Sequence, residues 1–361
     1  MMKYRIVTVV DKVTSIRAWE KDFVLYLKRN QAFSCFDKQT LKVLWSYADC
    51  YHGFLYGDKF FLNIAISNTP DVVSFNNGEL IKHLSLFFNF HVLNKYCYAL
   101  QVIKENEEKE NVKYNCLKFD IEKQEIVKIN ESIYPFDLLL DEKNYISTLD
   151  NRIFKVDFEA NTVDWEYHIS DLGPYMDWDY LNPPVWEKRR YYNMYYVDGM
   201  VFLSVSKGVV ALAAETGKQL WWVDFNTTET STLFYDIDPY YLSFADGKIY
   251  IRDWGQFVSI DMKTGEILMR KKYIGFKVGD EIVDNTMTSG IKIHNGKGYF
   301  VLDVQAELYL TSLDLKTGEV RIEAELPDVK DQVSAENIHF EGNRMYLRDN
   351  ASFLYVYEVT E

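Results

Sequence analysis

The sequence predicts an all-β protein: an eight-bladed β-propeller of four-stranded antiparallel blades, with the ring closed by the N-terminal strand. Three observations carry that expectation. A strand–turn–strand motif recurs along the 361 residues, and a second series of tight turns keeps step with it. The composition, 48% hydrophobic with 27 Tyr and 23 Phe, suits pleated strands better than a helical bundle.

The motif is clearest from Ala211 to Trp222, ALAAETGKQLWW: a small-residue strand, a Thr-Gly turn and a second strand. Related stretches read SIDMKTGEILM from Ser259, SLDLKTGEVRI from Ser312, CFDKQTLKVLW from Cys35 and KVDFEANTVDW from Lys155. An Asp at the end of the first strand can accept backbone N–H groups as the chain turns, and Gly supplies the positive φ the turn needs. With that Asp position as register, the copies fall at Asp37, Ser74, Asp120, Asp157, Ala213, Asp261, Asp314 and, in a worn last copy, Tyr357. Eight residues further on stand Trp45, Trp165 and Trp221, with Met269 and Ile322 in two other copies. A shared register makes these tryptophans parts of the architecture rather than a site.

The second series consists of turn pairs that each precede a hydrophobic strand: Glu20-Lys21, Gly57-Asp58, Asn94-Lys95, Asp141-Glu142, Asp198-Gly199, Asp246-Gly247, Asn295-Gly296 and Gly342-Asn343. The unit is therefore strand A, tight turn, strand B, loop, strand C, Asp/Thr-Gly turn, strand D. Eight such units in 361 residues average about 45 residues each, the length of a propeller blade. Seven blades is the alternative count, because the Ser74 and last copies are weak. The last copy, ASFLYVYEVTE, ends on strand C, whereas the chain begins with an unassigned alternating strand. Residues 4–10 are thus expected to complete the last blade and remove an open edge, within a single propeller domain spanning 1–361.

The segment ALAAETGKQLWW resembles the tryptophan-docking repeat of quinoprotein alcohol dehydrogenase-like (PQQ-like) propellers, written A-x-D-x-x-T-G-K-x-x-W. Ala211, Thr216, Gly217, Lys218 and Trp221 match, and Ala213 replaces the Asp. The resemblance implies that Trp45, Trp165 and Trp221 dock between neighbouring blades. It covers most of the chain as a rhythm and about four copies specifically. The adjacent Cys pair and calcium-ligand set of the family's quinone enzymes are absent from the sequence, so no quinone cofactor is expected. The family's outer-membrane assembly scaffold is a lipoprotein, and this N-terminus carries no lipid-acceptor Cys.

A net charge of −14 argues against a nucleic-acid groove, which needs clustered Lys and Arg, and favours a basic partner steered in by the field. Cys35, Cys50, Cys97 and Cys116 lack metal-ligand spacing; Cys97 and Cys116 are read as facing each other on a hairpin, as thiols. The six histidines are dispersed, and no metal site is expected. No stretch has the length of a membrane span or the form of a signal peptide, which points to the cytoplasm.

The A–B and C–D turns are uniformly short, whereas insertions fall in the B–C and D–A connections expected on the other face, and elaborated loops on a rigid scaffold commonly bind. The longest, EYHISDLGPYMDWDYLNPPVWEKRRYYNMYY, supplies Tyr175, Asp177, Trp178, Asp179, Tyr180 and Trp186. The next long connection, VDFNTTETSTLFYDIDPYYLSF, supplies Asp236, Asp238, Tyr240 and Tyr241. The two acidic-aromatic clusters are expected to form one partner-binding surface. No catalytic residue is assigned, since nucleophile-elbow, phosphate-loop and sialidase motifs are absent. The sequence therefore points to a monomeric, non-enzymatic, protein-binding scaffold, with an immunity protein neutralising a toxin as one form of it. Alternatives are an enzyme or carbohydrate- or small-ligand-binding propeller with its site at the mouth of the central channel, and an envelope assembly scaffold, which requires an export leader.

Overall fold

In the computed structural model, the described residues are 3–360 apart from 11–12, 19–22, 29–31, 38, 49, 57–58, 65–69, 75, 84–89, 104–112, 124, 178–184, 227–236, 254, 274–275, 279–280, 284–289 and 305. They form eight four-stranded antiparallel sheets and two small hairpins. The chain divides into two compact units, Met1–Leu86 with Tyr241–Glu361, and Phe87–Tyr240.

The fifth sheet shows how sequence becomes blade. Its strands are Tyr191–Val197, Met200–Val205, Gly208–Ala213 and Gln219–Asp224, paired in that order. The two central strands are covered on both faces, and Val201, Phe202, Leu203, Val209, Val210, Ala211 and Leu212 are all buried. Continuous apolar runs belong in that environment. Outer strand D keeps only alternate positions, Trp221 and Val223, in the core. Between strands A and B, Asp198 and Gly199 both take positive φ, 48° and 77°, as do Asp246-Gly247 and Asn295-Gly296 in later sheets. Two such residues in a row match the right-handed twist of the flanking strands. Asp141-Glu142 instead sits in a longer connection, between Leu138–Leu139 and Asn144–Leu149, where the Asp141 carboxylate accepts the Lys143 and Asn144 N–H groups. Glu20-Lys21 and Gly57-Asp58 lie outside the described residues.

The Asp position does what its chemistry suggests. Asp261 Oδ1 accepts the Lys263 and Thr264 N–H groups at 2.9 and 2.8 Å, and its carbonyl accepts Gly265 N–H at 2.9 Å. Asp314 repeats this with Lys316, Thr317 and Gly318. In the last copy the register differs by one residue from the sequence reading. Arg344, the first residue of strand B, pairs with Glu358, so Glu358 and not Tyr357 holds the Asp position. Because faces alternate along a strand, Tyr357 instead points into the core.

The N-terminal strand Lys3–Val10 pairs antiparallel with Leu354–Thr360, giving a sheet ordered Lys3–Val10, Leu354–Thr360, Arg344–Arg348, Ile338–Glu341. Arg5 lies opposite Glu358 and bridges it at 2.5 Å, and Ile6 packs with Tyr4 and Val359 against the core around Met345 and Leu347.

One expectation about the cysteines is overturned. Cys97 lies opposite Phe119, and Cys116 opposite Leu100, with no register shift between those strands. The two are three positions out of register, so their side chains leave opposite faces of the sheet and cannot meet.

Candidate functional site

The connection from strand Thr162–His168 to strand Tyr191–Val197 is a folded insertion. A 3-10 turn, Ile169–Leu172, buries Ile169, and Gly173 reverses the chain at φ +74°. Strand Tyr175–Asp177 then pairs with Val185–Glu187, matching Tyr175 to Glu187, Met176 to Trp186 and Asp177 to Val185. Alternation sends Tyr175 and Trp186 to opposite faces of this hairpin. Tyr175 is buried, whereas Trp186 and Val185 are 58% and 53% exposed. The Tyr175 hydroxyl donates to Glu187 Oε2 at 3.4 Å, and its pKa is pushed up to about 12 by burial, then by Asp177 and Glu187.

Arg189 anchors the hairpin's exit. Only 2% exposed, it donates through Nη1 to the Ser206 carbonyl and through Nη2 to Asp224 Oδ2, both at 2.6 Å. Its guanidinium lies 4.8 Å from the Trp222 ring centre and 5.8 Å from that of Tyr175. Its Nε is buried without a hydrogen-bond partner. Trp222 reaches this place because residue 208 is glycine: a Cβ there would stand 2.0 Å from the indole Cη2. The backbone is held as well, for Asn151 Nδ2 donates to the Arg189 carbonyl at 2.7 Å and Arg190 N–H donates to Ser206 Oγ at 3.0 Å.

The end of the next insertion joins the same sheet. Lys207, at φ +57°, donates its N–H to Asp238 Oδ1 at 3.1 Å, and its Nζ meets Asp238 Oδ2 at 3.3 Å. The Tyr240 carbonyl accepts Asn193 Nδ2 at 2.7 Å, and its ring stacks on Tyr192 with centres 4.3 Å apart.

Of the sequence-predicted residues, Tyr175, Asp177 and Trp186 share the hairpin, while Asp238 and Tyr240 are tied to the adjoining sheet through Lys207 and Asn193. Tyr241 belongs to the first unit, beside Gly290 and Ala335. Trp178, Asp179, Tyr180 and Asp236 lie outside the described residues. The surface is not simply acidic and aromatic, because Lys207 and Arg189 engage Asp238 and Asp224. A cleft of about 580 Å³ opens at the hairpin's exit, lined by Asn151, Glu187, Lys188, Arg189, Arg190 and Tyr191. The sequence reading passed over these cations, although the run Lys188-Arg189-Arg190 in a chain of charge −14 was the signal for them.

Two of the register tryptophans, Trp165 and Trp45, lie over turn glycines of the following sheets. Trp165 is 8% exposed, donates through Nε1 to the Ala214 carbonyl at 3.0 Å, and packs over Gly217, where a Cβ would lie 2.5 Å from its ring. Trp45 covers Gly78, and Met269 covers Gly318, in the same relation. Trp221 is buried at 5.9 Å from Phe202. Among the described residues no cluster of His, Cys, Asp or Glu is placed to hold a metal ion, and no helix is long and apolar enough to cross a membrane.

A family model described as PQQ_2, outer membrane protein assembly factor BamB, matches residues 193–345. No curated protein matches the sequence. Among solved structures, BamB from Moraxella catarrhalis is 14% identical with a TM-score of 0.57, over 99% of this chain and 98% of that one. Sqt1 from Saccharomyces cerevisiae is 9% identical with a TM-score of 0.64, over 99% and 98%. A europium-containing methanol dehydrogenase is 11% identical with a TM-score of 0.54, over 98% of this chain and 84% of that one. At these identities the likeness shows the fold alone, and together with the family match over residues 193–345 it supports a PQQ-like β-propeller.

Proposed function

We propose that the chain is a non-enzymatic protein-binding scaffold that engages its partner through the insertions flanking the fifth sheet. The observation that carries this reading is the hairpin of Tyr175–Asp177 and Val185–Glu187. It is anchored by Tyr175 and Arg189, yet holds Trp186, on the face opposite Tyr175, out to solvent. An exposed Trp on a rigid element costs little ordering entropy on binding, which is why such residues act as interface anchors. The family model's description, an assembly factor, supports the same class.

In its finer form the proposal takes residues 1–361 as one monomeric, eight-bladed propeller domain in the cytoplasm. Its charge of −14 steers in a basic partner, and an immunity protein occluding a toxin fits that description. The test is affinity capture from the native cell, comparing wild type with Trp186→Ala and Tyr240→Ala at unchanged melting temperature. A stoichiometric partner lost in the variants supports the surface; a partner retained by both variants sinks it. A second reading, an envelope assembly scaffold, is favoured by the family match. Cell fractionation separates the two, since a periplasmic or membrane-associated protein rules out the cytoplasmic form.

A further inference from the structure

The cleft at the hairpin's exit has the opposite sign to the chain as a whole. Arg189 forms its floor, fixed by Ser206 and Asp224, with its Nε buried and unpartnered. Lys188 and Arg190 also line the cleft and are exposed, and neither side chain has an ion-pair partner among the described residues. Among the described residues Glu187 is the one carboxylate on the lining, and it accepts the Tyr175 hydroxyl. A volume of about 580 Å³ is far more than a lone inorganic ion fills and falls within the range of organic-ligand clefts. Exposed Trp186 is two residues from Lys188 and supplies apolar area next to the charge.

We propose that this cleft binds an acidic segment of the partner protein, its carboxylates lying between Lys188 and Arg190 over Arg189, and an apolar neighbour lying on Trp186. The inference rests on the scaffold reading and narrows it. Because the whole-chain field repels acidic molecules, the segment is a local acidic stretch on a partner that is not acidic overall.

The test is fluorescence anisotropy at low ionic strength with the full chain and a fluorescein-labelled peptide of alternating Glu and Leu, beside a Lys-Leu peptide of equal length. The Glu-Leu peptide is expected to bind wild type and to weaken about tenfold with Lys188→Glu/Arg190→Glu, an ordinary size for losing two close charge contacts. A control pair on exposed turns outside the cleft lining, Lys263→Glu/Lys316→Glu, leaves binding unchanged. The residues exchanged are exposed, and a milder Lys188→Gln/Arg190→Gln pair gives an intermediate loss if charge reversal proves disruptive. Equal binding of the Glu-Leu peptide to wild type and the cleft variant overturns the inference. So does competition by inorganic phosphate with no contribution from Trp186→Ala, which assigns the cleft to a small oxyanion. A cellular partner lost with Trp186→Ala but kept with the cleft variant leaves the scaffold standing and removes this inference. Cleft-dependent peptide binding with no partner captured does the reverse.

Discussion

The indole of Trp165 lies over Gly217, in the turn of the following sheet, and donates to the carbonyl of Ala214. Gly217 is at φ +68°, so the position asks for glycine twice, for its backbone and for the space a side chain would occupy. Gly217→Ala is therefore expected to cost about 2–4 kcal/mol, combining left-handed strain with overpacking. Trp165→Phe keeps most of the packing and loses the hydrogen bond, for about 1–2 kcal/mol. Urea unfolding of both variants checks the order; equal costs would contradict the close approach.

Gly208→Ala separates packing from charge. The φ at this position is ordinary, but a Cβ would collide with Trp222, which in turn lies beside Arg189. The expected result is a loss of about 1–3 kcal/mol and a changed Trp emission spectrum as the indole is displaced. Asp224→Asn is expected to cost about 1–2 kcal/mol, at the low end because Asp224 is partly solvated while Arg189 is buried. Trp186→Ala should stay within about 0.5 kcal/mol of wild type, as an exposed residue without buried partners does.

Deleting residues 1–10 removes the strand that pairs with Leu354–Thr360 and opens that sheet's edge. A lower melting temperature with increased aggregation is expected. Unchanged melting would show that the pairing contributes nothing to stability.

The turn aspartates set an acid-side dependence. Asp37, Asp261 and Asp314 are held below the ordinary 3.8, first by the backbone N–H three residues on, from Thr40, Thr264 and Thr317. Folded values below the unfolded one mean that the unfolded chain takes up protons first. Their contribution is thus fully present above about 3.8 and is lost as pH falls through the folded values. Asp261→Ala should be less stable than wild type at neutral pH, with the gap narrowing below pH 3.8. A gap independent of pH would assign the effect to something other than the carboxylate.

Cys35, Cys97 and Cys116 are buried thiols, and burial pushes all three upward, Cys35 and Cys116 to about 12. Native protein should leave them unreactive to a thiol reagent, with reaction only on unfolding, and mild oxidation should form no Cys97–Cys116 bridge. A native-state bridge between them would contradict the register of their strands.

Repeats and turn chemistry are local, so they could be read along the chain: the Asp that accepts its own turn's N–H groups, the paired positive-φ residues at Asp198-Gly199, and the Trp eight residues after the Asp position. The same local rules placed Tyr4 to Val10 as a strand wanting a partner. What needed tertiary structure was which residues meet across strands. A register set by pairing moved the last copy from Tyr357 to Glu358 and sent Cys97 and Cys116 to opposite faces. The binding surface was half legible for the same reason. Aromatic density marked the hairpin, but that Trp186 stays out while Tyr175 goes in follows from strand alternation, once the pairing of Tyr175 with Glu187 is known. Nor could spacing reveal that Asp224 and Asp238 are already engaged by Arg189 and Lys207, leaving Lys188 and Arg190 to give the cleft its charge. Charge in a sequence is additive, whereas charge at a surface is what remains after near neighbours have paired, and only the folded chain decides who is near.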